Sequence, residues 1–208
     1  MPEVPRIQNA APPPRALEAV TVPPKADGWI IHATKNVEDA LEEIKHGGDR
    51  AAAIVAASLV EAHLTTAMKA TLHRNEKIVN ELFRNSGPLG NFSTKIDLAF
   101  LIGMFSAECH KELNIIRTVR NLFAHDLRIK GFASQRMTDL VSNLVKHEFG
   151  FSITNLDRDK ADKHYLVYCP DADPPTNARE RYIRACKYYT AIMSMQIPGR
   201  TTMPRPFF

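Results

Sequence analysis

Cysteine is scarce in this chain of 208 residues. The three cysteines, Cys109, Cys169 and Cys186, are odd in number and far apart, and none lies at zinc-ligand spacing from another ligand. They predict free thiols in a reducing compartment rather than a disulfide framework. The sequence motifs of zinc proteases, serine hydrolases and P-loop proteins are absent as well. We therefore expect no metal ion and no cofactor.

Long apolar runs and a large charge of one sign are also missing. The longest uncharged, mostly apolar run, residues 51–60, is shorter than the roughly 18 residues that a membrane span needs. The N-terminus lacks the basic and apolar regions of a signal peptide. These observations predict a cytoplasmic protein with no membrane contact. The net charge of +4 is too small to indicate nucleic-acid binding by itself.

Proline is concentrated near the two ends of the chain. Residues 1–34 contain two proline runs, and two prolines follow Pro198. Because proline fixes φ and removes a hydrogen-bond donor, we expect an extended or disordered arm over residues 1–34 and a flexible tail over 198–208. The part between them, residues 35–197, is predicted to be one domain.

Helical periodicity dominates that domain. Patterns of apolar residues and capping signals predict helices over residues 36–45, 50–73, 76–83, 94–105, 108–128, 135–147 and 177–196. Asp49 and Ser93 are the expected N-caps of the second and fourth helices, and the glycines of residues 87–90 are expected to supply positive φ in a turn. Residues 149–176 break the pattern, although the alternation in 165–168 permits a short strand. The predicted fold is all-α, an antiparallel helical bundle with an irregular C-terminal insertion.

The helix predicted over residues 108–128 has two contrasting faces. At about 100° per residue, one arc carries the apolar side chains Ile115, Ile116, Val119, Leu122 and Phe123. The opposite face carries polar side chains and no carboxylate before Asp126: Asn114, Arg117, Arg120, Asn121, His125 and Arg128. These groups bind anions or transfer protons, so this face is the first candidate for chemistry.

Two interpretations of Arg120 and His125 remain open. In the first, they belong to an internal hydrogen-bond network in which Arg120 pairs with Glu61 or Asp97 and His125 caps helix carbonyls. In the second, two copies of the helix face each other across a two-fold axis and form a cleft for a phosphodiester. Arginine would then stabilise the phosphate, histidine would move a proton, and RNA would supply its own 2′-hydroxyl nucleophile without a metal.

Residues 120–125, RNLFAH, are similar to the R-x4-H motif of the HEPN superfamily. That superfamily consists of helical domains and includes metal-independent ribonucleases whose composite site forms in a dimer. The resemblance implies a catalytic role for Arg120 and His125, with RNA as the substrate.

A wider resemblance is to the mannitol operon repressor family of bacteria. It rests on Asp49-Arg50 before an alanine-rich helix, on Gly87-Pro88-Leu89-Gly90, on residues 92–97 and on residues 116–125, in that order. It covers roughly residues 36–147. The resemblance implies an all-helical domain with a role in transcriptional control.

Direct reading of DNA is not expected, because no helix-turn-helix arrangement can be found. The best surface for nucleic acid is a basic face over residues 179–187 together with Arg200 and Arg205. We therefore expect a non-enzymatic regulatory protein, a homodimer through the helix of residues 108–128, that acts through an unknown partner protein. A metal-independent endoribonuclease is the alternative. The residues assigned to binding or to a structural network are Arg50, Glu61, Asp97, Arg117, Asn121 and Asp126.

Overall fold

The computed structural model describes residues 29–33, 35–72, 75–145, 149–154, 164–170 and 174–195. The helices in these ranges are α1 (Lys35–His46), α2 (Asp49–Thr71), α3 (Glu76–Phe83), α4 (Phe92–Leu101), α5 (Ala107–His125), α6 (Gln135–Ser142) and α7 (Ala178–Met195). The strands are β1 (Trp29–Ala33), β2 (Phe149–Thr154) and β3 (His164–Pro170). The predicted all-α bundle is confirmed, and a small sheet is added to it.

Helix α2 lies at the centre of the bundle and contacts α1, α4, α5 and α7. Four of its buried alanines lie close together near its start: Ala52, Ala53, Ala56 and Ala57. Because an alanine side chain is a single methyl group, a neighbouring helix can come close to the α2 backbone. Helix α7 does so, since the buried Tyr182 hydroxyl donates to Ala53 O at 3.1 Å and also lies 3.3 Å from Ile116 O.

By length and composition alone, α2 could cross a membrane. Half of its most apolar 18-residue segment is buried inside the bundle. The core helix of a soluble protein has the same properties, and α2 contacts four other helices of the bundle.

The apolar arc predicted for α5 is confirmed. Ile115, Ile116, Val119 and Phe123 are buried, and Leu122 is partly buried against the core. Phe123 continues into an aromatic series, with ring centroids 4.8 Å apart between Phe123 and Phe132 and 5.3 Å apart between Phe132 and Tyr182. One face of α5 is therefore fixed in the core, and its opposite face is left for polar contacts.

The three strands form an antiparallel sheet in the order β1-β3-β2. Trp29 pairs with Tyr168 across β1 and β3, and Phe149 pairs with Pro170 across β2 and β3. Strands β2 and β3 lie in the region predicted to be irregular, and β3 includes the segment whose alternation permitted a strand. Strand β1 lies in the predicted N-terminal arm. Aromatic and β-branched residues favour strands, which accounts for residues 29–33 joining the sheet. Residues 1–28 and 196–208 lie outside the described residues.

Some predicted boundaries and turn details are wrong. Asp49 is the first residue of α2 rather than its cap, and α4 begins at Phe92 after Asn91. Helix α6 ends at Ser142, five residues earlier than predicted. Positive φ was expected for the glycines of residues 87–90, but neither has it. Among the described glycines, positive φ occurs at Gly103, at 74°. Gly90 is needed for a different reason, because a Cβ there would lie 2.3 Å from Asn85 O.

Candidate functional site

A charged network joins α5 to α2 and α4. Glu61 Oε2 accepts from Arg120 Nη2 at 3.1 Å, and Glu61 Oε1 accepts from Lys95 Nζ at 2.8 Å. Arg120 also donates from Nη1 to Asn121 Oδ1 at 2.9 Å. The side chains of Glu61 and Lys95 are only 18% and 8% exposed, so solvent screens their attraction weakly. Arg120 thus contacts Glu61, one of the two partners predicted for it.

Asp97, the other predicted partner, lies elsewhere. Its Oδ1 atom is 2.8 Å from Nε2 of His110, a residue in the first turn of α5. Lys95, the second partner of Glu61, is not among the predicted network residues. The signal was a lysine inside the apolar pattern of α4, which requires a buried carboxylate nearby.

The C-terminal half of α5 borders an open groove of about 540 Å³. Its walls are formed by Arg117, Thr118, Asn121, Leu122, His125, Asp126 and Arg128. His125 is exposed there. Among the described residues it donates to no carbonyl, which differs from the predicted capping role. Arg50 fills that role instead, since its Nη2 donates to Asp126 O at 3.3 Å and to Ile129 O at 3.0 Å.

The structure places Arg120 and His125 in different surroundings. Arg120 reaches inward to Glu61 on α2, whereas His125 lines the groove. A spacing of five residues on a helix separates two side chains by about 140°, so this divergence follows from the sequence spacing. Within one chain, the two residues do not form a common site.

Asp126 is the acidic residue of the groove, and arginines compensate its charge. Oδ1 accepts from Arg128 N and Arg128 Nε, each at 3.0 Å, and Oδ2 lies 3.6 Å from Arg136 Nη1. Hydrogen bonds from the Arg128 side chain and backbone lower the pKa of Asp126 from 3.8 to about 2. The carboxylate therefore stays ionised, but its negative charge is largely neutralised.

Asp49, the first residue of α2, contacts two other parts of the bundle. Its Oδ2 atom accepts from Phe132 N at 2.8 Å, and Oδ1 lies 3.5 Å from Arg179 Nε. A Cβ at Gly131 would lie 2.5 Å from Asp49 Oδ2, so only glycine leaves room for this contact. Arg179 also donates to Gly47 O at 2.7 Å. These contacts tie the start of α2 to the loop after α5 and to α7.

The basic face predicted as a nucleic-acid surface is partly used inside the fold. Arg179 donates to carbonyls at the end of α1, and Arg181 donates to Ser142 O at 2.8 Å and to Leu144 O. Both guanidiniums satisfy helix-end carbonyls. Arg200 and Arg205 lie outside the described residues.

A buried carboxylate on α5 was not singled out by the sequence. Glu112 is 4% exposed, and it accepts from Val145 N and from Tyr189 OH, each at 3.1 Å. Burial and nearby acidic groups raise the pKa of Tyr189 above its ordinary value. Because an ionised carboxylate is costly to bury, Glu112 depends on these donors from α7 and the end of α6.

No group of three or more His, Cys, Asp or Glu side chains with metal-binding geometry occurs within the ranges that the structure describes. The groove side of α5 presents arginine, amide and imidazole groups, whose chemistry is anion binding and proton transfer.

The fold and this polar face define a helical domain with a small sheet and with a basic surface on its fifth helix. The family defined as mannitol repressor matches residues 36–193, about three quarters of the chain. The chain belongs to this family, which extends the resemblance seen in the sequence through α7.

Two solved structures share the fold. The first is MtlR in the MtlR-HPr complex from Escherichia coli, with 13% sequence identity and a TM-score of 0.52, covering 76% of this chain and 97% of that one. The second is YggD from Shigella flexneri 2a, described as a possible transcriptional regulator, with 14% identity and a TM-score of 0.51. It covers 79% of this chain and 98% of that one. A comparison with curated protein sequences gives no match.

Proposed function

We propose that this protein is a non-enzymatic regulator of transcription in the bacterial cytoplasm that acts by contacting a partner protein. The observation that carries the proposal is the pairing of Arg120 with Glu61 in the same chain. That pairing occupies the arginine that a ribonuclease would need at the phosphate. Membership of the mannitol repressor family supports the regulatory role.

The proposed partner is HPr or a protein like it, since the Escherichia coli relative forms a complex with HPr. An exposed apolar patch at the end of α4 is the proposed contact surface. Phe100, Leu101 and Ile102 are 36%, 78% and 42% exposed. Apolar side chains that lie together on a surface commonly mark protein interfaces. The contact would bury this patch and leave the charged network in the bundle unchanged.

Isothermal titration calorimetry with HPr from the same bacterium tests this proposal. We expect a complex that Leu101→Asp weakens by at least about tenfold, because the carboxylate would lose its hydration in the interface. Leu127→Asp is the matched control, since Leu127 is 79% exposed but follows α5. Absence of binding would contradict HPr as the partner. Equal losses of affinity in both variants would contradict the end of α4 as the contact surface.

A second function, metal-independent RNA cleavage, is favoured by one observation. His125 is exposed in a groove that also presents Arg117 and Arg128. This function requires two copies to face each other through α5, so that His125 of one copy meets an arginine of the other.

The cleavage assay uses wild-type protein and His125→Ala in EDTA, with analysis of the RNA ends and light scattering for the oligomeric state. Cyclic-phosphate ends that disappear in the folded variant would establish the ribonuclease. Intact RNA in both samples would leave the regulatory function as the remaining proposal.

A further inference from the structure

Arg117 lines the α5 groove and differs from the neighbouring arginines because it has no acidic partner among the described residues. Arg120 is paired with Glu61, and Arg128 and Arg136 are both paired with Asp126. Across the described part of the chain, Arg117 contacts no carboxylate. Its positive charge is therefore available to a ligand.

Arg117 is also held in position from one side. Its Nε atom donates to Asn114 Oδ1 at 3.2 Å, and Asn114 Nδ2 in turn donates to His110 O at 3.1 Å. His110 is fixed by Asp97 at 2.8 Å. These contacts use the inner nitrogen of the guanidinium, and its two terminal nitrogens make no hydrogen bond to a described residue. A positioned guanidinium loses less freedom when it binds an anion.

Two further donors share this face of the helix. Asn121 follows Arg117 by four residues and His125 follows by eight, so the three side chains lie in a row along the groove. Arg120 already occupies Asn121 Oδ1, which leaves the Nδ2 end of this amide to donate outward. The exposed imidazole of His125 adds a third donor.

We propose that this groove binds a small molecule carrying a phosphate monoester, with Arg117, Asn121 and His125 contacting the phosphate. A guanidinium presents two parallel N–H groups that match two phosphate oxygens. The groove volume of about 540 Å³ suits a small molecule, since ligand sites are commonly about 300 to 1,000 Å³. Leu122 offers an apolar wall for the organic part of the ligand.

A nucleic acid fits the groove less well. Nucleic-acid binders neutralise many successive phosphates along a basic track. Here one unpaired arginine lies in the groove, and the groove ends at Asp126 with its two paired arginines. The site therefore suits a single dianion better than a polyanion. This proposal is independent of the HPr contact, which lies at the end of α4.

The test is NMR titration of the full chain with inorganic phosphate, then glycerol 3-phosphate, and then a single-stranded oligouridylate. We expect both small phosphates to shift the α5 amide signals from residue 117 to 125, with dissociation constants on the order of 1 mM or lower. Arg117→Gln should weaken binding by about tenfold or more, because it removes charged hydrogen bonds. Thermal melting should show that this variant stays folded.

Arg84→Gln is the matched control, since Arg84 is an exposed arginine after α3, outside the groove. It should leave phosphate binding unchanged. If both variants weakened phosphate binding equally, the effect would be general charge attraction, and the proposal of a site in the groove would be overturned. Absence of shifts with both small phosphates would also overturn it. Much tighter binding of the oligouridylate, dependent on Arg117, would replace the proposal with nucleic-acid binding.

Discussion

Replacing Glu61 tests whether the network under α5 is a structural element. Glu61→Gln keeps the shape of the side chain but removes the charge that faces Lys95 and Arg120. Lys95 is 8% exposed, so its ammonium group would remain buried without a counter-charge. Breaking a buried ion pair in this way costs about 3 to 5 kcal/mol. Arg120 is 30% exposed and can turn towards water, so it should add little to this loss.

The free energy of unfolding is measured by urea denaturation followed by circular dichroism. A loss of that size lowers the melting temperature by about 10 °C in a domain of this length. The control is the double variant Glu61→Leu with Lys95→Met, which removes both charges. Its free energy of unfolding should be closer to that of the wild type than the value for Glu61→Leu alone. If Glu61→Gln costs less than about 1 kcal/mol, the inference that the lysine is buried and depends on this carboxylate is wrong.

Three further changes test contacts elsewhere in the bundle. Asp49→Ala removes the acceptor of Phe132 N, and it should cost about 1 to 3 kcal/mol in urea unfolding; an unchanged midpoint would contradict the role given to this contact. Tyr189→Phe removes a hydroxyl that donates to the buried carboxylate of α5, with a similar expected loss; a variant as stable as wild type would show that the carboxylate has sufficient other donors. Asp126 has a folded-state pKa of about 2, below its usual 3.8, because of Arg128. Its ionised form therefore stabilises the fold above about pH 4, and this contribution disappears as the pH falls towards 2. The stability difference between wild type and Asp126→Asn should shrink over that interval, and a difference independent of pH would refute the assignment.

Periodicity was sufficient to predict the two faces of α5, and it left Glu61 and Asp97 as the two candidate partners of Arg120. The apolar arc identified the buried side of the helix, and an acidic residue in the apolar α2 required a cationic partner. Spacing also showed that Arg120 and His125 diverge. These inferences needed only the geometry of single helices.

Contacts between helices could not be predicted in this way. Lys95 and Asp97 are two residues apart on α4, and the sequence does not say which of them faces Glu61. The contact between Asp49 and Phe132 joins segments more than eighty residues apart. The pairing of β1 with β3 likewise depends on how the ends of the domain meet. Such contacts are determined by the packing of the whole bundle.

The place of α7 has a consequence for synthesis of the protein on the ribosome. Helix α2 packs against α7, which is the last of the described helices to be made and supplies the buried Tyr182 and Tyr189. Translation of residues 146–195 takes roughly 3 to 10 s at about 5 to 20 residues per second. During that interval the alanine-lined side of α2 lacks its cover. A chain released before α7 is made would therefore lack the part of the core that Tyr182 and Tyr189 form.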